Sequence, residues 1–209
     1  MRDAHSAESR PYHHGDLRRA LVDAARRLLE AEGPSALSLR AVAREAGVSP
    51  AAPYHHFKDK AELLDAVAHE GWLMLNTRMR EAKARQQGRQ QLTALGIAYV
   101  CFAREHPALY RVMYDAARDK EALPIDTENP DEESAYCMVR ETMVEHGADP
   151  TAQTELELAT IASWCAAHGL AEMAGFKQFS EMKDALGGEQ AFIAAVLQHM
   201  GLFPHAHRD

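Results

Sequence analysis

The stretch that decides the fold runs from Leu37 to Leu64 and reads LSLRAVAREAGVSPAAPYHHFKDKAELL. Leu39, Val42, Ala43 and Ala46 recur on one helical face behind Ser38, whose hydroxyl suits the free N–H groups of a helix start. Gly47 ends that short helix, because glycine accepts the backbone that a tight turn requires. Ser49 then caps a second helix with Pro50 at its first position, where the missing N–H does no harm. Pro53 would damage a helix interior but still falls in the first turn, where most N–H groups lack intrahelical partners. Asp59 and Glu62 have the spacing of a capping box, which opens a long helix through Leu63, Leu64, Val67, Trp72 and Leu75 that fades near Gly88. Two short helices joined by Gly47-Val48-Ser49 have the pattern of a helix-turn-helix. Ala43 would sit at their close crossing, with Val48 and Phe57 as apolar plugs.

Working outward, the helical period continues in both directions. Leu17, Ala20, Leu21, Ala24, Leu28 and Leu29 predict a helix over 16–32, stopped by Gly33-Pro34. Downstream, punctuation by proline and glycine marks helices near 89–105, 107–118, 131–146, 150–174 and 189–200, with a polar loop at 119–131. No segment alternates with period two, so the expected fold is all-α with about nine helices. The expected organisation is an arm over 1–12, a three-helix helix-turn-helix domain over 13–60 and a helical-bundle domain over 61–209.

Composition narrows the function classes. The chain has 209 residues, 46% hydrophobic and 26% charged, an ordinary globular balance. Its net charge of −8 hides a split: residues 1–60 hold 10 Lys+Arg against 8 Asp+Glu, whereas residues 61–209 hold 13 against 23. A nucleic-acid backbone attracts the first part and repels the second. No apolar run approaches the roughly 18 residues of a membrane span, and the polar start MRDAHSAESR has no apolar core of a secretion signal, so a cytoplasmic protein without membrane contact is expected. The three cysteines, 101, 137 and 165, form no CxxC pair and are expected to be reduced and buried. Adjacent His55 and His56 cannot face one metal, and Cys165-x-x-His168 lacks a second pair, so no metal and no other cofactor is expected. A phosphate-binding glycine loop, HExxH and GxSxG are all missing, which argues against an enzyme.

The strings HHGDLRRALVDAARRLLEAEG (13–33), ALSLRAVAREAGVS (36–49) and AAPYHHFKDKAELL (51–64) resemble the tetracycline-repressor (TetR) family of transcriptional regulators. Trp164-Cys-Ala-Ala-His168-Gly169 is similar to the WHG signature of one of its C-terminal regulatory subgroups. The resemblance implies a homodimeric repressor that binds palindromic double-stranded operator DNA and is released by a small-molecule effector. It implies phosphate contacts from Ser38, from Ser49 with the turn at Pro50, and from Tyr54, His56, Lys58 and Lys60. Base contacts fall to Arg40, Ala51, Ala52 and His55: arginine fits guanine O6/N7, and alanine can touch a thymine methyl. The second domain then becomes a ligand chamber and dimerisation body. Its candidate lining is Met74, Leu75, Tyr99, Phe102, Tyr110, Met113, Tyr114, Met138, Trp164 and His168. Small and branched residues near 150–174 and 189–200 (Ala159, Ile161, Ala162, Ala166, Ala191, Ile193, Ala194) would allow a four-helix contact between two subunits. The alternatives are a ligand-blind architectural DNA binder and an all-helical enzyme.

Overall fold

The computed structural model describes residues 14–117 and 134–200. The arm over 1–12, the whole of the expected loop at 119–131 and the tail beyond Met200 lie outside them. Among the described residues there are nine α-helices and no strand, and the chain divides into two compact units at Val67/Ala68, within one helix.

In the first unit, α1 (His14–Glu32) buries Leu21, Ala24, Ala25, Leu28 and Leu29. Gly33 ends it at φ +80°, its N–H bonded to the Leu29 carbonyl. α2 (Leu39–Glu45) starts on Ser38, whose Oγ accepts from the Ala41 N–H at 3.1 Å, and buries Leu39, Val42 and Ala43. Ala46, expected to be buried with them, is half-buried. The turn is fixed by two bonds: Gly47 N–H to Arg44 and Val48 N–H to Ala43, with Gly47 at φ +70°. That is the Schellman closure, which satisfies carbonyls left open at a helix end.

The next element departs from expectation. Rather than an α-helix capped by Ser49, Ala52–His55 form a single 3₁₀ turn with no side-chain cap. Its bonds run three residues back, Tyr54 N–H to Ala51 and His56 N–H to Pro53. Pro53 has no N–H to reach Ser49, so the α-helical ladder cannot form at the point where it would begin. Pro53 and Phe57 are buried below the turn, and Arg18 lies over the Phe57 ring, 5.2 Å from its centroid. α3 (Lys60–Ala84) then starts where the capping residues predict: Asp59 Oδ1 accepts from the Glu62 N–H at 2.9 Å. Glu62 reaches back to the Lys58 N–H, one residue earlier than a standard capping box.

The second unit comprises the rest of α3, α4 (Gln90–Glu105), α5 (Pro107–Ala117), α6 (Ala135–Glu145), α7 (Gln153–Met173), α8 (Ser180–Leu186) and α9 (Glu189–His199). The most enclosed helix is α4, packed against α5, α6, α7 and α9, with Leu95, Tyr99, Val100 and Phe102 almost fully buried. Gly71 on α3 permits close approach of α5: a Cβ there would lie 2.6 Å from Met113 Sδ. Buried Asn76 accepts from the Ala135 N–H at 2.9 Å, which ties the start of α6 to α3. α8, with a 3₁₀ turn at Lys177–Phe179 before it, was not anticipated from the sequence.

Candidate nucleic-acid interface and ligand cleft

In the first unit the buried plugs Pro53 and Phe57 push the neighbouring polar side chains outward. Ser38, Arg40, Ser49, Pro50, Ala51, Tyr54, His55 and Lys58 are exposed, while Ala52, His56 and Lys60 are half-buried. Tyr54 is 53% exposed although Phe57, three residues on, is 1% exposed. An aromatic ring left in water beside a satisfied core is available for an outside partner. Ser38 Oγ already accepts from Ala41, so its own proton is what it can offer. Lys60 Nζ donates to the Pro34 carbonyl at 2.9 Å, which holds the ammonium beside the turn after α1 and leaves two of its three protons for another acceptor. Arg27 Nε bonds Glu45 at 3.0 Å and offsets the acid at the end of α2. With a 3₁₀ turn in place of a helix, side chains three apart eclipse, so Ala51 stands with Tyr54 and Ala52 with His55.

In the second unit the structure gathers five of the candidate lining residues: Tyr99 from α4, Tyr110 and Tyr114 from α5, and Trp164 and His168 from α7. Tyr99 Oη lies 2.8 Å from Tyr110 Oη, bonds Tyr114 Oη, and is 3.3 Å from His168 Nδ1. Tyr110 Oη and His168 Nδ1 are 2.5 Å apart. The Trp164 ring meets Tyr99 edge-on at 5.0 Å. Burial raises all three phenols, Tyr114 to about 12, and pushes Tyr99 and Tyr110 higher still. The three phenols are therefore neutral at physiological pH.

This group closes one side of a cleft of about 290 Å³, which Tyr110, Tyr114 and His168 share with Arg104, Arg111, Asp115 and Glu172. The volume is near the lower end for small-molecule sites, about 300–1,000 Å³. The other candidates lie elsewhere. Met74 and Phe102 border an open groove with Arg78 and His106. Leu75, Met113 and Met138 are fully buried and border none of these openings.

Sequence reasoning left Trp72, Arg104 and Arg111 out of the site. Trp72 stacks on Trp164 at 6.4 Å and meets Tyr114 edge-on at 5.4 Å; its aromatic character was the available signal. The arginines carried none, since a charge on a helix flank is ordinarily solvated. Arg104 Nε is bonded to Glu189 of α9 at 3.1 Å, and its guanidinium occupies the space a Cβ at Gly175 would need, 2.6 Å away. Two of the cysteines expected to be buried, Cys137 and Cys165, are exposed. Both stand on outward helix faces. Ile193, expected at a subunit contact, is 1% exposed and packs in the core of its own chain.

Comparison with known proteins places these features in a lineage. Residues 21–67 match the model of bacterial regulatory proteins of the tetR family. Residues 92–199, just over half the chain, match that of the tetracyclin repressor-like C-terminal domain. An uncharacterised HTH-type transcriptional regulator of Haemophilus influenzae is 54% identical over 69 residues, which are 32% of this chain and 34% of that protein. The chain thus matches about a third of the length of that curated relative. A solved structure from Rhodococcus sp. RHA1, of unknown function, is 30% identical with a TM-score of 0.67, covering 93% of this chain and 97% of that one. A TetR-family transcriptional regulator from Haemophilus influenzae has the same fold at 21% identity and a TM-score of 0.56, covering 88% of this chain and 96% of its own.

Proposed function

The chain belongs to the TetR family of transcriptional regulators, and from that premise we propose that it is a homodimeric repressor, released from palindromic operator DNA by a small-molecule effector. The observation that carries the DNA-binding half is the surface around the 3₁₀ turn. There Arg40, Tyr54, His55 and Lys58 stand exposed over a buried Pro53 and Phe57. Ser38, Ser49, Tyr54, His56, Lys58 and Lys60 act on phosphates and set register, which specifies no sequence. Arg40 and His55 are the base-reading side chains with polar hydrogens, and Ala51 and Ala52 supply methyl contacts. So few readers leave much of the specificity to DNA shape.

The dimer is supported by the outer face of α7. Leu158, Ile161 and Met173 are 61%, 42% and 49% exposed, with Cys165 and Gly169 also open along that helix. A contiguous apolar face of this kind is unusual on a monomer. Two subunits would place two recognition turns on successive half-sites, about one DNA turn or a multiple apart. The domain boundaries follow the same reading, with a DNA-binding domain ahead of a ligand-binding and dimerising body. The effector acts through its different affinities for two conformers of the dimer.

The deciding experiment is selection of bound fragments from random duplex DNA, with sedimentation of the free protein beside it. A palindrome and a dimer are expected. Affinity should fall steeply with salt, and Lys60→Ala should flatten that slope by about one unit. Recovery of no motif at low salt, or a monomer at micromolar concentration, would overturn the proposal. Arg40→Ala should cost about 1–3 kcal/mol at one base pair; an equal loss on every sequence would reassign it to the backbone.

A further inference from the structure

Ser163 on α7 is 3% exposed, and its Oγ has no partner among the described residues. Two neighbouring hydroxyls show what such a group ordinarily does. Thr142 and Thr160 each donate to the carbonyl four residues back in their own helix. The same bond is open to Ser163 through the Ala159 carbonyl, and it is not made. Among the described residues the one other unpartnered buried polar atom is Arg26 Nε, and that guanidinium has an outlet through its Nη1, which pairs with Glu30. Ser163 has none, and a buried hydroxyl left unpaired requires a reason.

Its surroundings give one. Ser163 faces a crevice of about 10 Å³ between α3, α4, α6 and α7, bordered by Met79, Gly96, Tyr99, Val139 and Trp164. Among the described residues no charged side chain borders it, so an ion entering it would lose its water without gaining a counter-charge. Tyr99 Oη is already engaged by Tyr110 and Tyr114, which leaves the Ser163 hydroxyl as an unused donor. Closed as it stands, the crevice holds nothing larger than a water. Its borders can give way, however. Met79 is unbranched and adaptable, Gly96 has no side chain to obstruct a widening, and the half-buried Trp164 ring already meets solvent on one side.

We propose that this crevice is the closed form of a binding site for a compact, uncharged, largely apolar molecule with one carbonyl oxygen, and that this oxygen accepts the Ser163 proton. The open form is a minor conformer that the ligand makes dominant. The site shares no lining residue with the cleft that Arg111, Asp115 and Glu172 border, so those charges line no part of it. The assignment rests on the reading of the second unit as the effector body and names the chemistry of that effector.

The probes are cyclohexanone, cyclohexylammonium and cyclohexanecarboxylate, one ring carrying no charge, a positive charge or a negative one, added to the full-length protein. Trp164 borders the crevice and Trp72 stacks on it. These are the two tryptophans of the chain, so intrinsic emission reports on the site. Cyclohexanone is expected to change that emission and, at about ten times its Kd, to raise Tm by about 3–6 °C. Both ions should bind at least about tenfold more weakly. Ser163→Ala keeps the space and removes the donor, so its ligand-free Tm should rise while its cyclohexanone binding weakens about tenfold. A merely structural role for Ser163 would move Tm alone.

Unchanged emission and Tm up to about 30 mM cyclohexanone would overturn the proposal. So would an ion that binds as tightly as the ketone, or wild-type affinity in Ser163→Ala. Release of operator DNA is read in the same titration: binding without release upholds the site and overturns its assignment to the effector. If no probe binds, the proposal falls, while the selection of operator fragments still decides the broader reading.

Discussion

Replacing Ser163 with alanine should make the protein more stable. Thr142, Thr160 and Ser163 are buried within α6 and α7, and the two threonines are satisfied within their own helix. Thr142 Oγ1 donates to the Met138 carbonyl at 2.6 Å, and Thr160 Oγ1 to Leu156 at 2.7 Å. Ser163 is 3% exposed, yet its Oγ has no partner among the described residues. It faces a narrow crevice of about 10 Å³ lined by Leu95, Gly96, Val139 and Trp164. That space barely admits a water, and its largely apolar walls offer few of the partners a buried water needs. An unsatisfied buried hydroxyl costs about 1–3 kcal/mol. Alanine is also the better helix former, by up to about 0.5 kcal/mol. Against this stands the void left by one oxygen, about 10–20 Å³ at about 24 cal/mol per Å³, or about 0.2–0.5 kcal/mol. The net gain expected for Ser163→Ala is about 1–2 kcal/mol. For a chain of this size each kcal/mol moves Tm by about 2–4 °C, so thermal unfolding followed by circular dichroism should shift up by about 3–6 °C. An unchanged or lower Tm would refute the reasoning, since it would mean that the hydroxyl is satisfied in solution.

Three further outcomes follow from single residues. Gly71→Ala drives a methyl to 2.6 Å from Met113 Sδ and 3.1 Å from Leu109 Cδ1, both on side chains with no exposed surface; a loss of about 1–3 kcal/mol is expected in denaturant unfolding. Gly47→Ala meets nothing within 4 Å, so any loss is backbone strain at φ +70°; about 1–2 kcal/mol is expected, together with weaker DNA binding in a salt titration. Glu105 is held below the usual carboxylate range by hydrogen bonds from Arg78, against the opposing effect of burial. The folded state therefore prefers its ionised form, and this contribution is present above the ordinary glutamate value of about 4.3 and fades as pH falls through the lower folded value. Glu105→Gln should flatten the acid limb of the stability profile there and leave its neutral part sloping as before; an unchanged acid limb would show that the pair adds nothing.

What could be read in the sequence followed from how local each determinant is. Ser38, Gly47 and Asp59 act within four residues of themselves, and each does in the structure what its type predicts. Pro53 was weighed as a helix starter, but the decisive bond is the one it cannot make to Ser49, four residues back, and the recognition element became a 3₁₀ turn. The helix α8 has no residue among its seven in the core, so it gave no apolar stripe to read. In the second unit, Trp164 and His168 stand four apart on one helix in the sequence, and the structure gathers both with Tyr99, Tyr110 and Tyr114. Leu75, Met113 and Met138 were equally apolar and equally spaced. They are core because of what neighbouring helices place against them, which one helix's period cannot reveal.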